Sequence, residues 1–231
     1  MAVDESKYAE IIQELNARKV TLVAVSKLQS AKDIKRMYEL GQRDFGENYV
    51  QELADKQGQL PQDIRWHFIG HLQSNKVKFI SPFVHLIQGV DSLKLLNEIN
   101  KQAKKTGRVI HCLLQIHIAQ EETKFGLNEA ELDEIITTVQ EKPEDYSNIF
   151  IDGLMGMASF SDDLEKVRSE MKMLKSLFDK YSSLSTPDSY RENCQLSTLS
   201  MGMSGDYKLA IEEGSNMVRI GSLLFGARPP K

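Results

Sequence analysis

Short apolar, β-branched runs alternate with segments of helical period along the whole chain, and this alternation restricts the fold more than any other feature. The runs are TLVAVS (21–26), RDFG (43–46), RWHFIG (65–70), FVHLIQ (83–88), VIHCLLQIHI (109–118), IFIDGLM (149–155), NCQLS (193–197) and NMVRIG (216–221). Between them, AKDIKRMYELG, LKLLNEINKQAKK, NEAELDEIITTVQ and DLEKVRSEMKMLKSLFDKY carry apolar residues three and four apart. DESKYAEIIQELNARK supplies an opening helix, and Gly41, Gly107 and Gly214 stand where a left-handed residue would end one. Strands that alternate with helices pair in parallel through crossovers, and about eight such units close into a barrel. The expected fold is therefore α/β: a single (β/α)8 TIM-type barrel domain over residues 1–231 with an extra N-terminal helix. An open doubly wound sheet is the alternative, and the short second and seventh runs are the least defined. The stretch SSLSTPDSYREN (182–193) reads as a surface loop.

Composition narrows the partners. A net charge of −4 disfavours nucleic acid, because phosphate-backbone affinity needs clustered cations. The local group Lys101, Lys104 and Lys105 lies on a helical segment and reads as a solvated face. No apolar run approaches the roughly 18 residues that cross a bilayer, and the start MAVDESKYAE is acidic where a signal peptide is basic and then apolar. No membrane partner and a cytoplasmic location are expected. Cys112 and Cys194, far apart in apolar runs, read as buried thiols.

Lys27 follows directly on the first run, and period-two alternation gives it the same face as Thr21, Val23 and Val25. In a barrel that face points inward, so the amine would stand at the C-terminal mouth, where barrel sites lie. A desolvated lysine there is a nucleophile toward aldehydes; the structural reading is a snorkelling strand-end lysine. LSTLSMGMSGDYKLAIEEG (196–214) offers a strand end, a small-residue loop and a helix expected to start near Ser204. Gly202 and Gly205 allow close backbone approach, and Ser197, Thr198, Ser200 and Ser204 add hydroxyls, as in a phosphate cradle; a capped flexible loop is the alternative. Met217, Arg219 and Gly221 share a face of the last run, so Arg219 requires an acceptor inside the barrel, with a structural carboxylate as one candidate. Asn48, in FGENYVQE (45–52), either reaches the mouth or belongs to a helix N-terminal turn. WHFIGHLQSNK (66–76) offers His67, His71 and Asn75 without HExxH spacing, and no metal is expected. His111 and His117 read as strand packing, and the methionines of GLMGMAS (153–159) as core lining.

With these residues in view, the sequence resembles the pyridoxal phosphate homeostasis protein family, also called the proline synthase co-transcribed or YggS-type family. LVAVSK (22–27), FGENYVQE, WHFIGHLQSNK, GLMGMAS and LSMGMSGDYKLAIEEGSNMVRIGSLLFG (199–226) carry the resemblance in order over nearly the whole chain. It implies a barrel like the N-terminal domain of alanine racemase, with pyridoxal 5'-phosphate held as a covalent aldimine on Lys27. It further implies that Ser200, Ser204 and Gly221 meet the phosphate, that Met201 and Gly205 belong to the same loop, that Arg219 faces the pyridine nitrogen, and that Asn48 neighbours the lysine. The sequence departs from the family pattern directly after the lysine, where LQS follows.

Racemases of this class complete their site with a second domain that contributes a tyrosine acid/base, and only SLLFGARPPK follows the last strand here. The expectation is a non-enzymatic, monomeric carrier that buffers the aldehyde in vitamin B6 homeostasis, with apo-enzymes as recipients. The competing reading is a small racemase or lyase using Tyr49, Tyr207 or His67 as base.

Overall fold

The computed structural model describes residues 3–119, 125–183 and 193–226. Eight parallel strands close in sequence order: β1 (Thr21–Val25), β2 (Asp44–Glu47), β3 (Arg65–Phe68), β4 (Leu86–Val90), β5 (Ile110–Ile116), β6 (Ile149–Gly156), β7 (Cys194–Ser200) and β8 (Met217–Ile220). The opening helix α1 (Glu5–Ala17) precedes them, capped by Asp4 accepting from the Lys7 N–H. The crossovers contain α2 (Ala31–Glu39), α3 (Val50–Gln57), α4 (Val77–Ile80), α5 (Leu93–Thr106), α6 (Glu129–Glu141), α7 (Leu164–Ser183) and α8 (Tyr207–Glu212), and α9 (Ser222–Phe225) follows the last strand. The closed ring excludes the doubly wound alternative. Gly41, Gly107 and Gly214 all have positive φ, as expected of helix ends.

Alternation along each strand separates two cores. Leu22, Ala24, Phe45, Trp66, Ile87, Cys112 and Leu114 face the helices in the main core. Val23, Leu86, Leu113, Met155 and Met217 fill the barrel itself, so the interior is packed and not a pore. Met155 thus lines the core, as its motif suggested, and both cysteines are buried thiols. The β1–β8 seam closes through four residue pairs, Thr21↔Met217 to Ala24↔Ile220. The neighbouring β7–β8 seam has one pair, Ser200↔Met217, and side chains complete it. Asn216 accepts from the Leu199 N–H and donates to the Ser197 carbonyl, while the Ser215 hydroxyl lies within hydrogen-bond reach of the Leu199, Met201 and Met217 carbonyls.

Three expectations need correction. β4 begins at Leu86 rather than at residue 83, because the N–H groups of Phe83 and Val84 both bond the Ile80 carbonyl and finish α4. β7 runs to Ser200, three residues beyond the run read from the sequence. The helix expected near Ser204 begins at Tyr207, because Asp206 accepts from the Met203 N–H through its side chain and ties residues 203–206 into a turn. Most of the loop read at 182–193 lies outside the described residues.

Candidate functional site

Lys27 stands two residues beyond the end of β1, at the C-terminal mouth of the barrel, and is partly buried. Both of its chain neighbours are anchored. The Ser26 N–H extends the sheet to the Gly46 carbonyl, and the Ser26 hydroxyl donates to Glu47 Oε1 at 2.6 Å. Leu28 occupies the left-handed region at φ 63, and its N–H donates to Glu52 Oε1 at 2.6 Å. A leucine in that conformation is strained and persists only where its surroundings fix it. Lys56, projecting from α3, does so: its ammonium donates to Glu47 Oε1 (2.7 Å), Glu52 Oε1 (2.6 Å) and the Ser26 carbonyl (2.7 Å). Glu47 is fully buried, and burial pushes its carboxyl up against the opposing pull of Lys56 and Ser26.

Asn48 follows β2 at the same mouth. Its Oδ1 is buried and has no hydrogen-bond partner among the described residues, an acceptor left to be satisfied. Gly70 approaches so closely that a Cβ there would lie 2.5 Å from the Asn48 carbonyl oxygen.

The turns after β7 and β8 meet each other. The Gly221 N–H donates to Ser204 Oγ at 3.2 Å, and the Arg219 N–H to the Gly202 carbonyl at 3.0 Å. Gly202 is the glycine this turn requires: its φ is +95°, and a Cβ would sit 2.5 Å from that of Ala210. Gly205 has open space around it and carries no such demand. Gly221 runs beside β1, where a Cβ would come within 3.3 Å of the Val25 carbonyl oxygen, so the turns after β7 and β8 and the lysine strand share one corner. The Met201 side chain packs into the main core, leaving only its backbone to the loop.

Arg219 points into the barrel and is 4% exposed. Its partners are neutral: Nη1 donates to Ser200 Oγ at 2.6 Å and Nη2 to the Gly156 carbonyl at 2.9 Å. Burial, offset only by Asp206, lowers its pKa to about 10. Among the described residues, the structural carboxylate considered from sequence is therefore not a direct contact. The Ser200 hydroxyl in turn donates to Gln88 Oε1 at 2.7 Å, so this serine is an interior link as well as a neighbour of the loop.

Sequence reasoning missed Lys56 and Gln88, and it missed a polar ring at the opposite, N-terminal end. There a hollow of about 330 Å3 is lined by Asp44, Arg65, His67, His85, His111 and Asp152, among others. His111 is therefore part of this ring rather than mere strand packing. Ligand atoms of Asp44, His67 and His85 lie within 4.8 Å of one another. Their lone pairs are largely committed, however: Asp44 takes Arg65 on both oxygens and His67 Nε2 on one. His71, by contrast, bonds Asp91 and stacks on Phe125 away from this group.

A lysine at the mouth of β1, glycine-bearing turns after β7 and β8 and an arginine on β8 define a class within the parallel barrels. The family model "Alanine racemase, N-terminal domain" matches residues 5–229. Solved alanine racemases share the fold: that of Streptomyces coelicolor superposes with a TM-score of 0.73 at 13% identity, covering 99% of this chain and 60% of its own.

Much nearer are the pyridoxal phosphate homeostasis proteins, the family to which this chain belongs. Those of Pasteurella multocida (37% identity, 90% of this chain and 87% of that protein) and Aquifex aeolicus (39%, 90% and 86%) are examples. PipY of Synechococcus elongatus, solved with PLP bound, shares 31% identity and superposes with a TM-score of 0.84 over 96% of this chain and 99% of its own.

Proposed function

We propose that this protein holds pyridoxal 5'-phosphate on Lys27 and serves as a carrier or buffer of the cofactor without turning over amino acids. The observation that carries the reading is the clamp on the Lys27 turn, in which buried Lys56 and Glu47, with partly buried Glu52, fix the backbone on both sides of the amine. Such a clamp fixes the backbone from which the Lys27 side chain projects, on the strand that runs beside the Gly221 turn. The residues present suit the cofactor. Lys27 would supply the amine that condenses with the aldehyde and releases water, and the unpartnered Asn48 Oδ1 would accept from a donor brought beside it. Ser204, Gly205, Gly221 and the Met201 backbone border the place for the phosphate, and Ser200 joins that border to Arg219. Arg219 stands for the ring nitrogen: among the described residues two of its five N–H groups are engaged, both by neutral acceptors.

Bound pyridoxal phosphate supplies an electron sink, which a fixed cation near the ring nitrogen makes shallower. Catalysis would also need a mobile acid/base, and the three candidates are poorly disposed. The Tyr207 hydroxyl bonds Glu14 on α1, and burial together with Glu14 pushes it up to about 12. His67 is held between Asp44 and Gln88. Tyr49 is 53% exposed on the rim, open to water.

The test is to load purified protein with pyridoxal phosphate and follow D- and L-amino acids by chiral chromatography, alongside transfer to an apo-enzyme. The expected result is transfer with no change of chirality. Racemisation or lyase turnover at an enzymatic rate would replace the carrier reading by the racemase one.

A further inference from the structure

A chain of hydrogen bonds crosses the barrel interior from the mouth to the opposite floor. Arg219 Nη1 meets Ser200 Oγ (2.6 Å), Ser200 meets Gln88 Oε1 (2.7 Å), Gln88 Nε2 meets His67 Nδ1 (3.0 Å), and His67 Nε2 meets Asp44 Oδ1 (3.0 Å). Arg65 closes it from the floor, donating Nε to Asp44 Oδ1 at 2.7 Å. The links come from β8, β7, β4, β3 and β2. Arg219, Ser200, Gln88 and His67 are all buried, so each lost bond would leave a polar group without water to replace it.

With the Gln88 amide oxygen toward Ser200 and its NH2 toward His67, the two ends fix the direction of every proton between them. A guanidinium can only donate, so Ser200 accepts there and turns its single hydrogen to Gln88 Oε1. With its oxygen taken, Gln88 presents its NH2 to His67 Nδ1, which accepts only while it carries no proton. The imidazole proton then sits on Nε2 and points at Asp44, a carboxylate that can only accept. The other tautomer fails twice: its Nδ1–H would confront the Gln88 NH2, and its Nε2 lone pair would confront the carboxylate.

We infer that Gln88 and His67 are positioning residues, which transmit the fixed polarity of the Asp44–Arg65 pair to Ser200 and so orient the Arg219 guanidinium toward the mouth. The consequence for a bound ring rests on the proposed cofactor reading; the proton order within the chain does not.

Gln88→Glu and Gln88→His separate the possibilities with little change of volume. A glutamate offers His67 Nδ1 only an acceptor, so that nitrogen must gain a proton while Nε2 keeps its own. A histidine retains one acceptor for Ser200 and one donor for His67. In 15N spectra of the unloaded protein near neutral pH, wild type is expected to show His67 protonated on Nε2 alone, Gln88→Glu on both nitrogens, and Gln88→His as wild type. After pyridoxal phosphate is added, the absorption band is expected to shift in Gln88→Glu and to keep its wild-type position in Gln88→His. A wild-type His67 protonated on Nδ1, a Gln88→Glu ring whose Nδ1 stays bare, or a loaded band that ignores Gln88→Glu overturns the inference. A wild type that develops no band at all counts instead against the cofactor reading, since the unloaded spectra decide the proton order independently.

Discussion

Replacing Lys56 by methionine tests how the Lys27 turn is held. The ammonium makes three short contacts, to Glu47, Glu52 and the Ser26 carbonyl, and Lys56 is only 6% exposed. Methionine fills most of the same space, so the cavity contribution is small and the electrostatic loss dominates. Glu47 is 0% exposed and its Oε2 already has no partner among the described residues, so after the substitution only the Ser26 hydroxyl supports the charge. Breaking a buried pair from one side costs about 3–5 kcal/mol, a large part of the ~5–15 kcal/mol by which a domain is stable. The sign with pH follows from Glu47. Its folded pKa is raised, chiefly by burial, and removal of Lys56 raises it further. The unfolded state then releases the proton first, so the variant loses stability as pH rises above the ordinary carboxylate range. Urea unfolding at pH 5 and pH 8 measures this. The expected result is a midpoint far below wild type at both values, lower still at pH 8, with much of the loss recovered in Lys56→Met/Glu47→Gln. A loss under about 1 kcal/mol, or a double variant no better than the single one, would refute the argument.

Two further outcomes are expected elsewhere in the barrel. In the floor hollow, burial lowers the His85 pKa to about 4, whereas the hydrogen bond to Asp152 raises that of His111. NMR titration should separate them on either side of 6.5. His85 contributes stability that is lost as pH falls from about 6.5 toward 4, and His111 stability that is lost as pH rises through its raised value; coincident midpoints near 6.5 would contradict the geometry. Gly202→Ala places a Cβ 2.5 Å from that of Ala210 at φ +95°, and should cost about 1–3 kcal/mol, seen calorimetrically as a melting point lower by roughly 2–4 °C per kcal/mol; an unchanged melting point would show that the turn relaxes freely.

The fold was legible because strand and helix periods alternate clearly, and closure followed from the number of units. Boundaries were harder where an apolar pair serves a helix end: Phe83 and Val84 look like strand residues yet complete α4, while Gly89 and Val90, beyond the run read as a strand, belong to β4. Lys27, Arg219 and the turns after β7 and β8 were visible as residue types at strand ends. Lys56 left a local signal, its spacing of four from Glu52, but nothing nearby in sequence told that Glu47 faces the same way. Gln88 left none, because its partners Ser200 and His67 lie 112 and 21 residues away and meet it only across a closed barrel. The floor ring could have been found, since Asp44, Arg65, His85 and His111 each lie at the N-terminal entry of a strand, but only once strand registers were known.

Everything proposed for the mouth turns on which nitrogen receives the cofactor. Loading with pyridoxal phosphate, reduction by borohydride and peptide mass mapping address it directly. The expected result is one pyridoxyl adduct, on Lys27, and none in Lys27→Ala, whose fold should be little changed because Lys27 is only partly buried. An adduct on Lys56 or another lysine, or one that survives Lys27→Ala, would contradict it.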